Sequence, residues 1–121
     1  MDHATVHSWL DRYVDAWRTY DAQAIGDLFT DDAEYRYHPW DAPVEGREAI
    51  VKDWLDDPDE PGTWNARYAP YVVDGDKAVA TGVSEYDEDG QHRVYHNVFL
   101  LEFAPDGRAR RFTEIFAKRP G

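Results

Sequence analysis

Apolar residues near the start of the chain recur every three or four positions: Val6, Trp9, Leu10, Tyr13, Val14, Trp17 and Tyr20. A helix gathers such residues on one side, so the spacing predicts an amphipathic helix over residues 4–19. Asp21 precedes a second apolar cluster, residues 22–29, and is suited to cap a short second helix that Thr30-Asp31-Asp32 breaks. Tyrosine-rich residues 34–38 predict a short strand ended by Pro39. Ala49, Ile50, Val51, Trp54 and Leu55 predict a third helix over 46–55, and the two prolines and four acids of 56–62 predict a loop.

The remainder reads as four extended stretches, 64–73, 77–86, 92–103 and 108–117. Between them lie Asp74-Gly75-Asp76, Asp87-Glu88-Asp89-Gly90 and Ala104-Pro105-Asp106-Gly107, all with hairpin chemistry. Pro70 cannot donate to a sheet ladder and predicts an edge strand or a bulge. Helices first and an antiparallel meander after them give an α+β class. With neither repeat nor linker in view, residues 1–121 are expected to form one domain.

Thirteen basic against 25 acidic residues leave a formal charge of −12. Such a surface repels phosphate backbones and anionic headgroups, so neither nucleic acid nor a membrane is expected as a partner. The acidic clusters Asp56-Asp57-Pro58-Asp59-Glu60 and Asp87-Glu88-Asp89 read as solvated loops. There is no cysteine, hence no disulfide or thiolate site. No apolar run approaches the ~20 residues of a membrane span. The first residues lack a secretory pattern, which makes the cytoplasm the expected compartment. Five Trp and eight Tyr supply rings for a core or for the walls of a ligand pocket.

Two stretches carry a family resemblance. Arg12-Tyr13-Val14-Asp15-Ala16-Trp17, then Asp21, Leu28-Phe29-Thr30-Asp31-Asp32-Ala33 and Gly46-Arg47-Glu48-Ala49-Ile50 resemble the opening of the nuclear transport factor 2, SnoaL-like and ketosteroid isomerase superfamily. His96 to Phe103, a turn, and Arg111 to Phe116 resemble its last two strands. The resemblance implies a cone-shaped, strongly curved antiparallel sheet, with three N-terminal helices enclosing a pocket. It says little about chemistry, because unrelated activities share this scaffold. Set against ketosteroid isomerases, Tyr13 falls at the oxyanion-binding tyrosine and His38 at the general base, with Tyr37 as its rival. Phe99 falls at the protonated aspartate and cannot donate a hydrogen bond, which argues against a conventional ketosteroid isomerase.

In the register the resemblance implies, Tyr95, Asn97, Phe99 and Leu101 share one strand face, as do Phe112, Glu114 and Phe116. The resemblance makes these the pocket faces, with Trp17 alongside. Glu114 between two phenylalanines would lose water there, and desolvation raises a carboxyl pKa into a range useful for proton transfer. An outward face, or an ion pair with Arg12 or Arg36, is the structural alternative. His38 is a second candidate for accepting or donating a proton, with a surface strand end as its alternative. Tyr13 reads first as a core ring, and Asn97 is an amide that needs partners. His92 and His96, four apart on a strand, would sit ~13 Å apart, too far to share a metal ion.

Glu114, His38 and Tyr13 are thus the expected catalytic groups. Asn97, Trp17, Tyr95, Phe99, Phe112 and Phe116 are the expected substrate contacts, without cofactor or metal. Such a set suits isomerase, cyclase, dehydratase or hydrolase chemistry on a small apolar molecule. The other reading is a non-catalytic binding or dimerisation module whose pocket is filled by side chains. Both expect a homodimer through the outer sheet face, at Thr113, Ile115, Ala117, Val98 and Leu100.

Overall fold

The computed structural model describes residues 1–120. Helix α1 (His3–Thr19) is capped by Asp2, whose carboxylate accepts the Thr5 N–H at 2.8 Å. It buries Val6, Trp9, Leu10, Tyr13 and Ala16. It ends at Tyr20, held in the left-handed region with φ 49° while its N–H bonds the Ala16 carbonyl. Asp21 caps α2 (Ala22–Gly26) through the Gln23 N–H.

That second helix is shorter than its apolar pattern predicts. Leu28 and Phe29 leave it because their carbonyls are engaged elsewhere: the Ala109 N–H of the sheet donates to that of Leu28, and the Arg47 side chain, through Nε, to that of Phe29. Strand β1 therefore runs Phe29–Arg36 rather than 34–38. The breaker Thr30-Asp31-Asp32 lies inside it, where the register slips between Phe29 and Glu34 and both aspartates reach solvent. Tyr37 and His38 fall beyond the strand, at a turn closed by the Asp41 N–H on the His38 carbonyl. The short β2 (Val44–Glu45) leads into α3 (Arg47–Asp56), with Gly46 at φ 91° at their junction.

Strands β3 (Trp64–Asp74), β4 (Lys77–Glu88), β5 (Gln91–Phe103) and β6 (Ala109–Lys118) form the expected meander. Asp89 and Gly90 join β4 to β5 with positive φ at both positions, the geometry of a tight two-residue hairpin. The curved, unclosed six-stranded sheet has the order β2-β1-β6-β5-β4-β3, antiparallel throughout except between β1 and β6. Pro70 sits on edge strand β3 at a register slip between Pro70 and Val72, so it occupies an edge and a bulge at once. Among the described residues no helix is long and apolar enough to cross a membrane.

The concave face carries the core. Trp9 packs on Tyr13, Phe29, Phe103 and Phe112, and its indole N–H donates to the Leu28 carbonyl. On the convex face, Lys77, Glu102, Arg111 and Glu34 form a chain of ion pairs across the strands. Next to it lies an apolar strip. Val98 faces Ile115 and Leu100 faces Thr113 across β5 and β6, with Leu100 and Ile115 about 40% exposed (43% and 39%).

Small residues let the concave face hold large rings. Gly82 on β4 stands opposite Tyr68 on β3, and a Cβ there would collide with the Tyr68 ring and the Arg67 carbonyl. Its absence lets the Tyr68 ring lean across β4 to reach Phe99 on β5, 4.5 Å between centroids. Replacing Gly82 by Ala is expected to cost about 3 kcal/mol through this overlap. Urea unfolding monitored by tryptophan fluorescence measures it. A loss within experimental error of zero would mean that Tyr68 can swing aside freely.

Candidate functional site

A cleft opens between α1, α3, the 56–60 loop and the concave sheet. Its inner lobe, about 450 Å³, is lined by Tyr13, Trp17, Tyr20, Tyr35, Tyr37, Trp54, Tyr68, Ser84, Tyr86, Glu114 and four aspartates, Asp53, Asp56, Asp57 and Asp59. An outer lobe of about 370 Å³ shares Tyr37, Asp59, Ser84, Tyr86 and Glu114 with it. His38, Glu88, Arg93, Tyr95, Asn97 and Phe116 complete that outer lobe. Glu114 thus stands where the two meet.

The strand alternation puts it there. With Phe112 fully buried, the next residue of the same parity on β6 must also face inward. Asn97 lies diagonally across from it on β5, and its Nδ2 donates to Glu114 Oε2 at 2.7 Å. The buried Ser84 hydroxyl donates to Asn97 Oδ1 at 3.0 Å, so Ser84 and Asn97 orient the carboxylate in sequence. A carboxylate accepts only, which fixes the amide orientation. Among the described residues Glu114 makes no ion pair, and Arg36 pairs with Glu34 instead.

Burial raises the Glu114 carboxyl above its ordinary value, partly opposed by the Asn97 hydrogen bond and by the nearby charge of His38. Burial likewise raises the phenols around it. Tyr13 and Tyr35 are the most enclosed and share a 3.1 Å hydroxyl contact. Tyr37 is raised by burial and by Asp53, to which it donates; Tyr68 by burial and Glu114; Tyr86 by burial and Asp59. All five remain hydrogen-bond donors at neutral pH.

His38 stands at the mouth. Its Nδ1 lies 2.9 Å from Asp41 Oδ2, and its ring stacks on the exposed Trp40. With a carboxylate on Nδ1, the neutral ring carries its proton there and leaves Nε2 as the basic atom. Among the described residues no group of three or more His, Asp or Glu is placed to hold a metal ion. Arg119 donates to His96 Nε2, and His92 pairs with Asp87.

The sequence model of one family, the SnoaL-like domain, matches residues 10–112. The chain belongs to the SnoaL-like domain family. No curated protein sequence matches it. Among solved structures it is similar to an NTF-2 like protein of unknown function from Burkholderia xenovorans LB400. That pair shares 19% identity over 98% of this chain and 87% of the other, with a TM-score of 0.73. It is also similar to a putative ketosteroid isomerase from Kribbella flavida DSM 17836. There the figures are 18% identity, 99% and 83% coverage, and a TM-score of 0.73. At these identities the likeness establishes the fold.

Within this SnoaL-like domain, Tyr13, Trp17 and Glu114 meet in the inner lobe, while His38, Asn97, Tyr95 and Phe116 line the outer one. Phe99 and Phe112 line neither: both are buried beneath Tyr13 as the floor of the cleft. Phe116 is 42% exposed, a rim residue rather than a wall. The choice between Tyr37 and His38 dissolves, since both reach the cleft from the turn that follows β1. The acidic 56–60 loop is not purely solvated: Asp59 is half-buried and accepts the Trp17 indole N–H at 2.9 Å.

The expected set omits Tyr35, Tyr68, Ser84, Tyr86, Trp54 and Asp53. Parity held a signal for Tyr35 and Tyr68. Tyr35 and Tyr37 alternate with Glu34 and Arg36, and Trp64, Ala66 and Tyr68 alternate with Asn65 and Arg67.

The raised Glu114 carboxyl has a stability consequence with a definite sign. The fold prefers the protonated form, so its contribution is complete below the unfolded-state value of about 4.3 and is lost as pH rises through the folded-state value. Glu114→Gln, which mimics the protonated form, is therefore expected to melt above wild type at pH 7. The difference should close on acidification below the ordinary glutamate range. Calorimetric melting across that interval checks it, and a variant less stable at pH 7 would show that the cleft favours the ionised carboxylate.

Proposed function

We propose that this SnoaL-like domain is a cofactor-independent acid/base protein of the isomerase type, acting on a small molecule held in the cleft. The observation behind the reading is Glu114. It is a partly desolvated carboxylate that makes no ion pair, oriented by Ser84 and Asn97, at the junction of two lobes large enough for a ligand. Raising a carboxyl toward neutrality while fixing its direction is what a general base or acid requires.

In this reading Glu114 takes a proton from the ligand or returns one to it. The enclosed phenols of Tyr13 and Tyr35 donate to an oxygen on which charge develops. His38, held by Asp41, exchanges protons at the outer end. The ring walls accept an apolar body, and Phe99 and Phe112 close the floor beneath it.

Solvent-deuterium exchange into a panel of small carbonyl compounds, followed by NMR, tests the reading without knowledge of the natural substrate. Wild type is expected to catalyse exchange into at least one member, and Glu114→Gln to lose about a hundredfold or more of that rate. Exchange that survives the substitution would overturn the role of Glu114. Saturable binding without exchange would support a non-catalytic binding module instead.

The reading includes a homodimer through the convex strip of Val98, Leu100, Thr113, Ile115 and Ala117, which leaves the cleft free. Light scattering at micromolar concentration is expected to give twice the chain mass. Leu100→Lys combined with Ile115→Lys should give the single mass with an unchanged circular dichroism spectrum. A monomeric wild type would remove the dimer.

A further inference from the structure

The composition of the inner lobe is lopsided. Its fourteen lining residues comprise eight aromatic rings, five carboxylates and Ser84, with no Lys, Arg or His among them. Only Asp56 has a cationic partner, Lys52 at 2.8 Å. Asp53 and Asp59 accept from Tyr37 and from Trp17, neutral donors that orient a carboxylate without cancelling its charge. Among the described residues, Asp53, Asp57, Asp59 and Glu114 form no ion pair.

Carboxylates gathered around a ring-walled hollow repel one another and gain from a positive charge between them. The rings answer the same need, because the face of an indole or phenol attracts a cation held against it. They form a continuous wall: Tyr13 meets Trp54 at 5.3 Å, Tyr35 meets Tyr37 at 4.9 Å and Trp17 meets Tyr86 at 6.2 Å between centroids. An independent observation points to a ligand at the same wall. Trp54 is 8% exposed, and its indole N–H is buried without any hydrogen-bond partner. A buried donor left unpaired is costly, and an oxygen on a bound molecule would pair it.

We propose that the inner lobe is an ammonium site, binding a small organic cation that also carries an oxygen acceptor. The ring faces of Trp17, Tyr37 and Trp54 take the alkylated nitrogen, Tyr86 already carrying the Arg93 guanidinium over its ring, and the half-buried Asp53 and Asp59 with the exposed Asp57 at the rim supply the counter-charge. The proposal rests on the cleft being the ligand site and names the class of molecule it takes. A metal ion fits less well, since among the described residues no three of the His, Asp or Glu side chains converge closely enough to hold one.

The test compares two probes of nearly equal shape by calorimetric titration of the intact chain. One is choline; the other is neohexyl alcohol, in which a tert-butyl carbon replaces the quaternary nitrogen. Choline is expected to bind saturably and about tenfold or more tighter than the alcohol. Added salt should weaken choline and leave the alcohol unchanged. Asp57→Asn combined with Asp59→Asn should lower choline affinity several-fold without changing that of the alcohol. Should this variant fold poorly, the salt titration of wild type carries the same distinction.

Equal affinity for both probes, or no saturable choline binding at millimolar concentration, overturns the ammonium site. Equal affinity leaves the proton-transfer reading to the deuterium-exchange assay. Preferential choline binding in a protein that exchanges no deuterium overturns proton transfer and leaves the ammonium site standing.

Discussion

Phe112 registers the concave face of this domain. Its ring lies flat against Tyr35 of β1 at 4.4 Å and against Tyr13 of α1 at 5.4 Å, with interplanar angles of 4° and 16°. One side chain thereby joins the first helix, the first strand and the last strand, which are far apart in sequence. Strand alternation carries the consequence outward. With Phe112 fixed inward, Glu114 two residues on must face the cleft, and Thr113 and Ile115 must face away. The same stack brings the hydroxyls of Tyr13 and Tyr35 to 3.1 Å, so the paired phenols arise from core packing.

The hollow next to that stack follows from a size gradient along β3 and β4. Ala66, Ala78, Ala80 and Gly82 keep the sheet surface low, and rings from α1, α3 and β3 lean over it. Tyr68 closes on Phe99 across Gly82, which makes a dense floor. Toward the open end the residues become Ser84, Tyr86 and Asn97, whose polar tips need partners and are spaced by the ring bodies. Many of the rings stack on one another, as Trp17 does on Trp64 at 3.6 Å, and this pairing packs them into the walls of the cleft.

The elements were largely legible from period and punctuation, and the exceptions have identifiable causes. The spacing from Val6 to Tyr20 marks α1 almost to the residue, and Asp89-Gly90 marks its hairpin, because both signals are local. Leu28 and Phe29 look helical in isolation but pair with a strand eighty residues later, which no local pattern encodes. Glu114 was visible as a carboxylate between phenylalanines, given a register. Asp53 and Asp59 were not, because their meaning comes from α3 and the following loop closing over Trp17 and Tyr37. Acidic residues in a Pro-rich stretch look the same in sequence whether they face bulk water or a cleft.

The polar groups of the cleft sit toward its open end rather than on its floor. Phe99 is sealed among Tyr13, Tyr68 and Phe112. Asn97 is the next inward residue toward the open end, about 7 Å along the strand. It is Asn97 that holds Glu114, diagonally rather than directly across β5 and β6. The carboxylate is thereby carried from the floor toward the junction of the two lobes. There it is partly desolvated and feels the charge of the Asp41-supported His38. A phenylalanine at one inward position thus has two linked effects. It keeps the floor apolar, and it leaves the amide two residues along β5 as the polar group that positions the only acid on β6 facing the cleft.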